Sequence, residues 1–227
     1  MINKLSQNGK KKMGILFISA IVFGAVHLTN IAGIDFVNVL VQIGYAFVIG
    51  NVGEIKVSRI VICGLNGCGK TTLGKKLAQR INYLHKDIED YYFNNNIEYK
   101  YDKPCSRDDV SNELEKDFNN YENIIFTTCK GDYDNLSNLY DLAILIRLDK
   151  DTRLKRVKER SYKQFGDRIF ENGDLYEKET KFWNMVYNKD ESVITDWFNS
   201  LECKKIEIDG KKNIEENLGI ILDFIKS

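Results

Sequence analysis

The sequence predicts an α/β protein with a mostly parallel sheet of about five strands flanked by helices. From Val57 onward, short apolar runs typical of strands alternate with longer segments whose apolar residues have helical spacing. Runs such as 142–146 (LAILI) are apolar at every position, as expected for strands that are covered on both faces. A glycine-rich turn, residues 64–69, separates the first strand from the first helix.

The individual elements follow from the length and spacing of the apolar segments. In chain order, the strands are predicted at residues 58–63, 82–86, 123–128, 142–148 and 204–208. The helices are predicted at residues 70–81, 107–120, 150–161, 174–199 and 213–226. The first helix has Leu73, Leu77 and Ile81 on one face, and Ser106, which follows the only proline, Pro104, is placed to cap the second.

The glycine-rich turn matches a known phosphate-binding pattern. Residues 64–71, GLNGCGKT, fit G-x-x-x-x-G-K-S/T between a strand and a helix, which predicts a P-loop of the NTPase type. The glycines let consecutive N–H groups point into a concavity of phosphate size, and the helix N-terminus adds partial positive charge. Lys70 is expected to reach the β- and γ-phosphates of ATP, while the Thr71 hydroxyl binds Mg²⁺. The predicted cofactor-binding residues are Gly64, Leu65, Asn66, Gly67, Cys68, Gly69, Lys70, Thr71 and Thr72.

The composition limits the classes of partner. The 227 residues contain 33 Lys and Arg against 33 Asp and Glu, so no global field favours a nucleic acid. The five cysteines are odd in number, widely spaced and free of C-x-x-C pairs, which argues against a disulfide framework and a zinc site. We therefore expect a nucleotide and a small molecule as partners, in a reducing cytoplasm.

The first 54 residues differ in composition from the rest of the chain. Residues 13–29 and 36–50 are apolar, and four lysines precede them. Each stretch is slightly short of the roughly 20 residues that span a bilayer comfortably. The favoured interpretation is an apolar helical hairpin that anchors a cytoplasmic domain, residues 55–227, because two spans return the chain to the lysine-rich side. A buried or interfacial helical appendage and an artefact of start site or gene fusion are the alternatives.

One motif in this head resembles a family of membrane proteases. Residues 23–28, with Asn30, resemble the F-x-x-x-H motif of the CPBP (CAAX-protease and bacteriocin-processing) intramembrane metalloproteases, over about the first 50 residues. The family's glutamate-rich motif and later histidine motif have no counterpart, so His27 lacks the partners of a metal site. The resemblance implies a remnant of that family rather than a protease.

Acidic residues follow the second predicted strand, at the sheet edge where ligands gather. Carboxylates opposite a P-loop can hold an acceptor hydroxyl, act as a general base or bind Mg²⁺ through water. Asp87 is the favoured base because it lies closest to the strand end, with Glu89 and Asp90 as substrate-binding residues. The alternative is a helix start that packs against the core. After the third strand, Asp132 is either a metal-site candidate or part of an ordinary turn.

Arginines flank a segment without apolar periodicity, residues 161–167, which we predict to be a lid. Arg160 and Arg168, at its two edges, are the predicted catalytic arginines, because phosphoryl transfer depends on charge stabilisation and exclusion of water. Arg153 and Arg156 are expected on a solvated helix face, paired with neighbouring acids.

Four features together resemble the nucleoside-monophosphate kinase group, which includes adenylate-kinase-like and shikimate-kinase-like enzymes. They are the P-loop, the acidic turn at residues 87–93, the arginine-bearing lid and residues 206–210 before the last helix. The resemblance covers about residues 57–227 and implies ATP at residues 64–72, with residues 209–211 near its base. It also implies that Asp87, Glu89, Asp90 and Arg107 face the acceptor. The acceptor signatures D-G-F-P-R and Gly-Gly are missing, and residues 127–132 stand in their place.

Two functions are compatible with this sequence. The first is a kinase that transfers the γ-phosphoryl group of ATP to a small acceptor, for which a nucleoside monophosphate is one candidate. The second is a membrane-tethered ATPase or regulatory module that binds nucleotide without an acceptor. No N-K-x-D motif is present, which argues against a GTPase.

Overall fold

The computed structural model describes residues 57–93, 104–133 and 136–227. These residues belong to one compact unit, Ile55–Ser227. The predicted hairpin and His27 lie outside the described residues, and the domain boundary at residues 54 and 55 stays a prediction. Among the helices that the structure describes, none has the length and apolar character needed to cross a bilayer.

The described residues form a five-stranded, fully parallel sheet, which confirms the predicted α/β fold. The strands, in chain order, are β1 (Arg59–Cys63), β2 (Leu84–Asp87), β3 (Ile124–Thr127), β4 (Leu142–Arg147) and β5 (Lys204–Asp209). Their spatial order is β2-β3-β1-β4-β5, so β1 is central and its carboxyl end, where the P-loop begins, lies between β3 and β4. The change in strand order beside β1 leaves a crevice for ligands at this edge of the sheet.

Seven α-helices connect or flank the described strands. They are α1 (Lys70–Ile81), α2 (Ile88–Tyr92), α3 (Arg107–Asn120), α4 (Lys150–Phe165), α5 (Tyr176–Asn188), α6 (Ser192–Ser200) and α7 (Ile214–Lys226). Single 3₁₀ turns are present at Ser137–Leu139 and Gly166–Ile169. The predicted cap of α3 is confirmed, because the Ser106 hydroxyl accepts a hydrogen bond from the Asp109 N–H.

Two cores cover the two faces of the sheet. Val61 on β1 faces one core with residues of α3 and α6, such as Phe118 and Trp197. Its neighbour Ile60 faces the other core with residues of α1 and α7, such as Leu77. Alternate residues of the three inner strands, β1, β3 and β4, thus enter opposite cores, which explains why these strands contain runs that are apolar at every position.

The segment after β4 differs from the prediction. Helix α4 continues to Phe165, so most of the predicted lid, residues 161–167, is helical. Its face lacks apolar periodicity because the inward residue is Ser161, which is buried against Glu179 rather than against an apolar side chain. The predicted helix 174–199 is two helices, α5 and α6, because the backbone becomes extended at Lys189. The Asp190 carboxylate accepts a hydrogen bond from the Ser192 N–H in the connection between them.

Candidate active site

The P-loop joins β1 to α1 in a conformation that requires glycine. Gly67 has a φ of 84°, and a Cβ there would lie 2.5 Å from the carbonyl oxygen of Arg153. Among the described residues, no side chain caps the start of α1, so its first N–H groups are left for an anion. Cys68 is buried in the loop, and burial raises the pKa of its thiol. The thiol therefore stays neutral, as expected of a packing residue.

Lys70 is held at the mouth of the loop. Its Nζ donates a hydrogen bond of 3.2 Å to the carbonyl oxygen of Leu65 and lies 3.8 Å from the sulfur of Cys129. Burial disfavours the ammonium form, but the thiol groups of Cys68 and Cys129 and the carboxylates of Asp87 and Glu89 together raise the pKa of Lys70. Lys70 therefore carries its positive charge where a polyphosphate would lie.

Asp87, the last residue of β2, is bound to the P-loop. Its Oδ2 accepts hydrogen bonds from Thr71 Oγ1 at 2.6 Å and from Thr127 Oγ1 at 2.8 Å. Its Oδ1 accepts a third from the Glu89 N–H at 3.0 Å, which caps α2. Only 7% of Asp87 is exposed. Most of the hydrogen-bonding capacity of this carboxylate is therefore used inside the protein.

A cavity of about 810 Å³ extends from the P-loop between the acidic turn and the helices α4 and α5. Its size suits a small-molecule or cofactor site. The P-loop and α1 contribute Asn66, Gly67, Gly69, Lys70, Thr71, Thr72 and Lys75, and the acidic turn contributes Asp87, Ile88, Glu89, Asp90, Tyr92 and Phe93. The remaining wall consists of Cys129, Arg156, Val157, Arg160, Phe182, Met185 and Lys189.

Most of the residues predicted for the site line this cavity, but five do not: Gly64, Leu65, Cys68, Arg107 and Arg168. Arg168, in the 3₁₀ turn that follows α4, donates hydrogen bonds to both carboxylate oxygens of Asp174, at 2.9 and 2.5 Å. Arg107 donates a hydrogen bond to the carbonyl oxygen of Asp132 and lies over the ring of Tyr133. Neither is among the residues that line the cavity, because each is turned towards a local partner.

Other predictions about the loops are corrected or refined by these contacts. Asp132 pairs with Lys130 at 2.9 Å, so the segment after β3 is an ion-paired turn. Arg153 is not on a solvated face: it is 4% exposed, and its Nε donates a hydrogen bond to the carbonyl oxygen of Leu148. Leu65 and Cys68 pack beneath the P-loop rather than facing the cavity.

Arg156 is the main site residue that sequence reasoning assigned elsewhere. Its Nη2 donates a hydrogen bond of 3.1 Å to the carbonyl oxygen of Gly210, in the loop after β5, and its side chain lines the cavity. The sequence did contain an indication that Arg156 belongs to the site, because Arg156 lies one helical turn before Arg160 and shares its face of α4. Lys75 likewise lies one turn after Thr71 on α1.

The cavity offers oxygen ligands that fit Mg²⁺. The Thr71 hydroxyl and the Asp87 carboxylate lie together on its wall, and hard oxygen donors are what this ion prefers. The described part of the chain contains no cluster of three or more His, Cys, Asp or Glu side chains that could hold a metal. An ion held here would therefore draw its other ligands from phosphates and water, as Mg²⁺ usually does.

The fold and the site define a P-loop nucleotide-binding protein of the α/β class. The chain belongs to the AAA domain family AAA_18, which matches residues 60–184, from β1 into α5. This match begins after the apolar first 54 residues, so it gives no support to the predicted CPBP resemblance of about the first 50 residues.

Two curated proteins are similar in sequence. The uncharacterized protein YqaC of Bacillus subtilis (strain 168) is 28% identical over 177 residues, which cover 74% of this chain and 97% of YqaC. A putative adenylate kinase of Pyrococcus furiosus is 32% identical over 117 residues, which cover 50% of this chain and 60% of that protein.

Similar solved structures include a shikimate kinase from Bacteroides thetaiotaomicron, with a TM-score of 0.49, 18% identity and coverage of 75% of this chain and 99% of that chain. They also include a deoxyadenosine kinase from M. mycoides with bound dATP, with a TM-score of 0.48, 17% identity and coverage of 74% and 99%.

Proposed function

We propose that this protein is a phosphotransferase that moves the γ-phosphoryl group of ATP to a small acceptor. The observation that carries the proposal is the 2.6 Å hydrogen bond between Thr71 and Asp87, which holds the acidic turn against the P-loop at one end of the cavity. An acceptor held by the turn would therefore lie beside the terminal phosphate. Membership of the AAA domain family and the similarity to a putative adenylate kinase support this function.

The P-loop side of the cavity suits the triphosphate. Lys70 and the free N–H groups of α1 would bind the β- and γ-phosphates. Thr71 and Asp87 would hold Mg²⁺, which when bound neutralises negative charge on these phosphates. Arg156 and Arg160 lie on the α4 wall, where guanidinium groups can stabilise charge that develops on the transferred group.

The acceptor side of the cavity suggests a change in the role of Asp87. Because Asp87 already accepts three hydrogen bonds, we assign it to hold Thr71 rather than to act as the general base. Glu89 also lines the cavity, and its charge acts on Lys70. In the proposed reaction the acceptor oxygen attacks the γ-phosphorus, the bond to the β–γ bridging oxygen breaks and ADP leaves. When the acceptor is a hydroxyl group, Glu89 takes its proton.

The cavity wall around Glu89 indicates the chemical character of the acceptor. Tyr92 and Phe93 on one side, with Phe182 and Met185 on the other, form an apolar and aromatic part of the cavity wall. Met185 is 48% exposed although it lies in this wall, as expected of a residue that a ligand covers. A nucleoside monophosphate is one candidate, since a planar base can pack against such side chains.

The full-length protein, incubated with Mg²⁺, ATP and a panel of nucleosides, nucleoside monophosphates and hydroxylated metabolites, tests the proposal. Product formation is followed by mass spectrometry beside ADP release. We expect one acceptor class to be phosphorylated, and Lys70→Ala to lower the rate by about 10²-fold or more. Lys76→Ala, which removes a surface lysine paired with Glu215, is the matched control.

Hydrolysis of ATP without phosphorylation of any acceptor would favour the alternative, a nucleotide-binding ATPase or regulatory module. Failure to bind Mg²⁺ and ATP would remove both functions. Anchoring of the protein through residues 13–50, with the P-loop domain on the cytoplasmic side, stays a prediction that cell fractionation tests.

A further inference from the structure

A line of hydrogen bonds runs from His85 to the P-loop. His85 Nε2 lies 3.1 Å from Thr127 Oγ1, and Thr127 Oγ1 lies 2.8 Å from Asp87 Oδ2. Thr71 Oγ1 lies 2.6 Å from the same oxygen of Asp87. Three separate elements, the strands β2 and β3 and the helix α1, thus meet at one carboxylate. Neither His85 nor Thr127 belongs to the P-loop motif or lines the cavity.

The directions of these hydrogen bonds follow from how many protons each group has. The Thr127 hydroxyl has one proton and two possible acceptors, Asp87 Oδ2 at 2.8 Å and the carbonyl oxygen of Lys86 at 3.4 Å. The shorter bond to the charged acceptor is the stronger one, so the proton points to Asp87. The Thr127 oxygen is then an acceptor towards His85, which requires a hydrogen on Nε2 of the imidazole.

Helix α1 packs directly against His85 and Thr127, two members of this line of hydrogen bonds. At Gly74, a Cβ would lie 2.5 Å from Thr127 Cγ2 and 2.8 Å from His85 Cδ2, so only glycine allows the helix to approach so closely. Thr127 itself is fully buried. Because solvent has little access to the Thr127 hydroxyl, water cannot readily replace the contacts that it makes.

We propose that His85 and Thr127 are positioning residues for the P-loop, which hold the Asp87 carboxylate so that it accepts a hydrogen bond from the Thr71 hydroxyl. With its hydroxyl proton directed at Asp87, Thr71 presents only oxygen lone pairs to the cavity, as a ligand of Mg²⁺ must. Without Thr127, Asp87 loses one of three donors and can rotate, and the Thr71 proton is free to point into the cavity. The link to Mg²⁺ rests on the proposed function, whereas the hydrogen-bond directions do not.

Nitrogen NMR of the imidazole tests the directions in the full-length protein without nucleotide or metal. We expect the ¹⁵N shifts of His85 to show the tautomer with hydrogen on Nε2. Thr127→Val, which has the shape of threonine without its hydroxyl, is expected to give a mixture of tautomers. His27→Gln identifies the signals of the other histidine. Hydrogen on Nδ1 in the parent, or an unchanged spectrum in Thr127→Val, would overturn the inference.

Calorimetry with ATP, in the presence and absence of Mg²⁺, tests the consequence for the P-loop. We expect Thr127→Val to weaken binding of Mg²⁺–ATP by about tenfold, because the variant loses one hydrogen bond that positions a ligand of the ion. Binding of ATP alone should weaken by less than about twofold. Thr127→Ser keeps the hydroxyl and should bind like the parent. Thr128→Val is the matched control, because the neighbouring Thr128 is also buried but donates to the carbonyl oxygen of Lys130.

The two experiments separate failure of the inference from failure of the proposed function. If Thr127→Val weakened the binding of Mg²⁺–ATP and of ATP alone equally, or weakened neither, the proposed role of Thr127 would be refuted. The proposal of nucleotide binding would be unaffected. A parent protein that binds no Mg²⁺–ATP would refute the proposed function, and the NMR result would still decide the hydrogen-bond directions. His85→Gln, which keeps an N–H donor, is expected to bind Mg²⁺–ATP better than His85→Met.

Discussion

Ser161 Oγ donates a hydrogen bond of 2.6 Å to Oε2 of Glu179, and both side chains are buried between α4 and α5. The two helices carry one wall of the cavity: α4 contributes Arg156 and Arg160, and α5 contributes Phe182 and Met185. A buried polar contact therefore fixes the spacing of the side chains that face the proposed phosphoryl group and acceptor.

Replacing Ser161 by alanine is expected to lower the free energy of unfolding by about 1–3 kcal/mol, because a buried hydrogen bond to a carboxylate is lost. Urea denaturation measures the change. Ser227→Ala, at the exposed C-terminus, should change the free energy of unfolding by less than about 0.5 kcal/mol. Equal stability of the two variants would mean that the contact between α4 and α5 does not depend on this pair.

Gly67→Ala is expected to abolish nucleotide binding and to destabilise the fold. The new Cβ would lie 2.5 Å from the Arg153 carbonyl oxygen, and the φ of 84° is unfavourable for alanine. Gly219→Ala on α7 is the matched control, since a Cβ there meets nothing within 4 Å and alanine should stabilise the helix by about 0.5–1 kcal/mol. Thermal unfolding and ATP calorimetry report both effects, and normal binding by Gly67→Ala would contradict the loop geometry.

Among the arginines, we expect Arg156→Met and Arg160→Met to lower kcat by about 10²-fold, since both line the cavity. Arg168→Met should have the smaller effect, because Arg168 pairs with Asp174. Arg80→Met, which removes a surface arginine paired with Glu215, provides the baseline. If Arg168→Met lost as much activity as Arg160→Met, the prediction of a lid with Arg168 at its edge would be restored.

Glu89→Gln and Asp87→Asn should affect different kinetic constants. We expect Glu89→Gln to lower kcat by about 10²-fold with little change in the affinity for ATP, because it removes the proposed general base. Asp87→Asn should weaken binding of Mg²⁺–ATP, because an amide has one acceptor oxygen, which cannot serve Thr71 and Thr127 and also the Glu89 N–H without rearrangement. Steady-state kinetics with calorimetry distinguish the two variants, and the reverse pattern would return the base to Asp87.

Stability should depend on pH through His85. Burial lowers the pKa of His85 below its ordinary value, so the unfolded chain binds the proton more readily than the folded protein. The stability from the neutral imidazole is therefore present above about pH 6.5 and is lost as pH falls through the lowered pKa. Urea unfolding between about pH 7.5 and pH 5 should show a smaller decline in His85→Gln than in the parent. Parallel curves for the two proteins would rule out this contribution.

The sheet and the P-loop were predictable because their causes are local in the chain. A strand buried on both faces must be apolar throughout, as residues 142–146 are, and the P-loop needs its glycines within a few residues of one another. The extension of α4 to Phe165 was missed for the opposite reason. A serine on the inward face suggests a surface position in the sequence. Ser161 is buried because it packs against Glu179, which is 18 positions away in the chain.

The amino-acid order was sufficient for the α/β fold, the phosphate-binding loop and the set of charged residues around it. The roles within that set came from contacts between distant positions: Thr71 with Asp87 across 16 residues, Thr127 with Asp87 across 40, and Arg156 with Gly210 across 54. Spacing along the chain shows which side chains share a strand or helix face, whereas the direction of a hydrogen bond depends on atoms that meet only after the elements pack together.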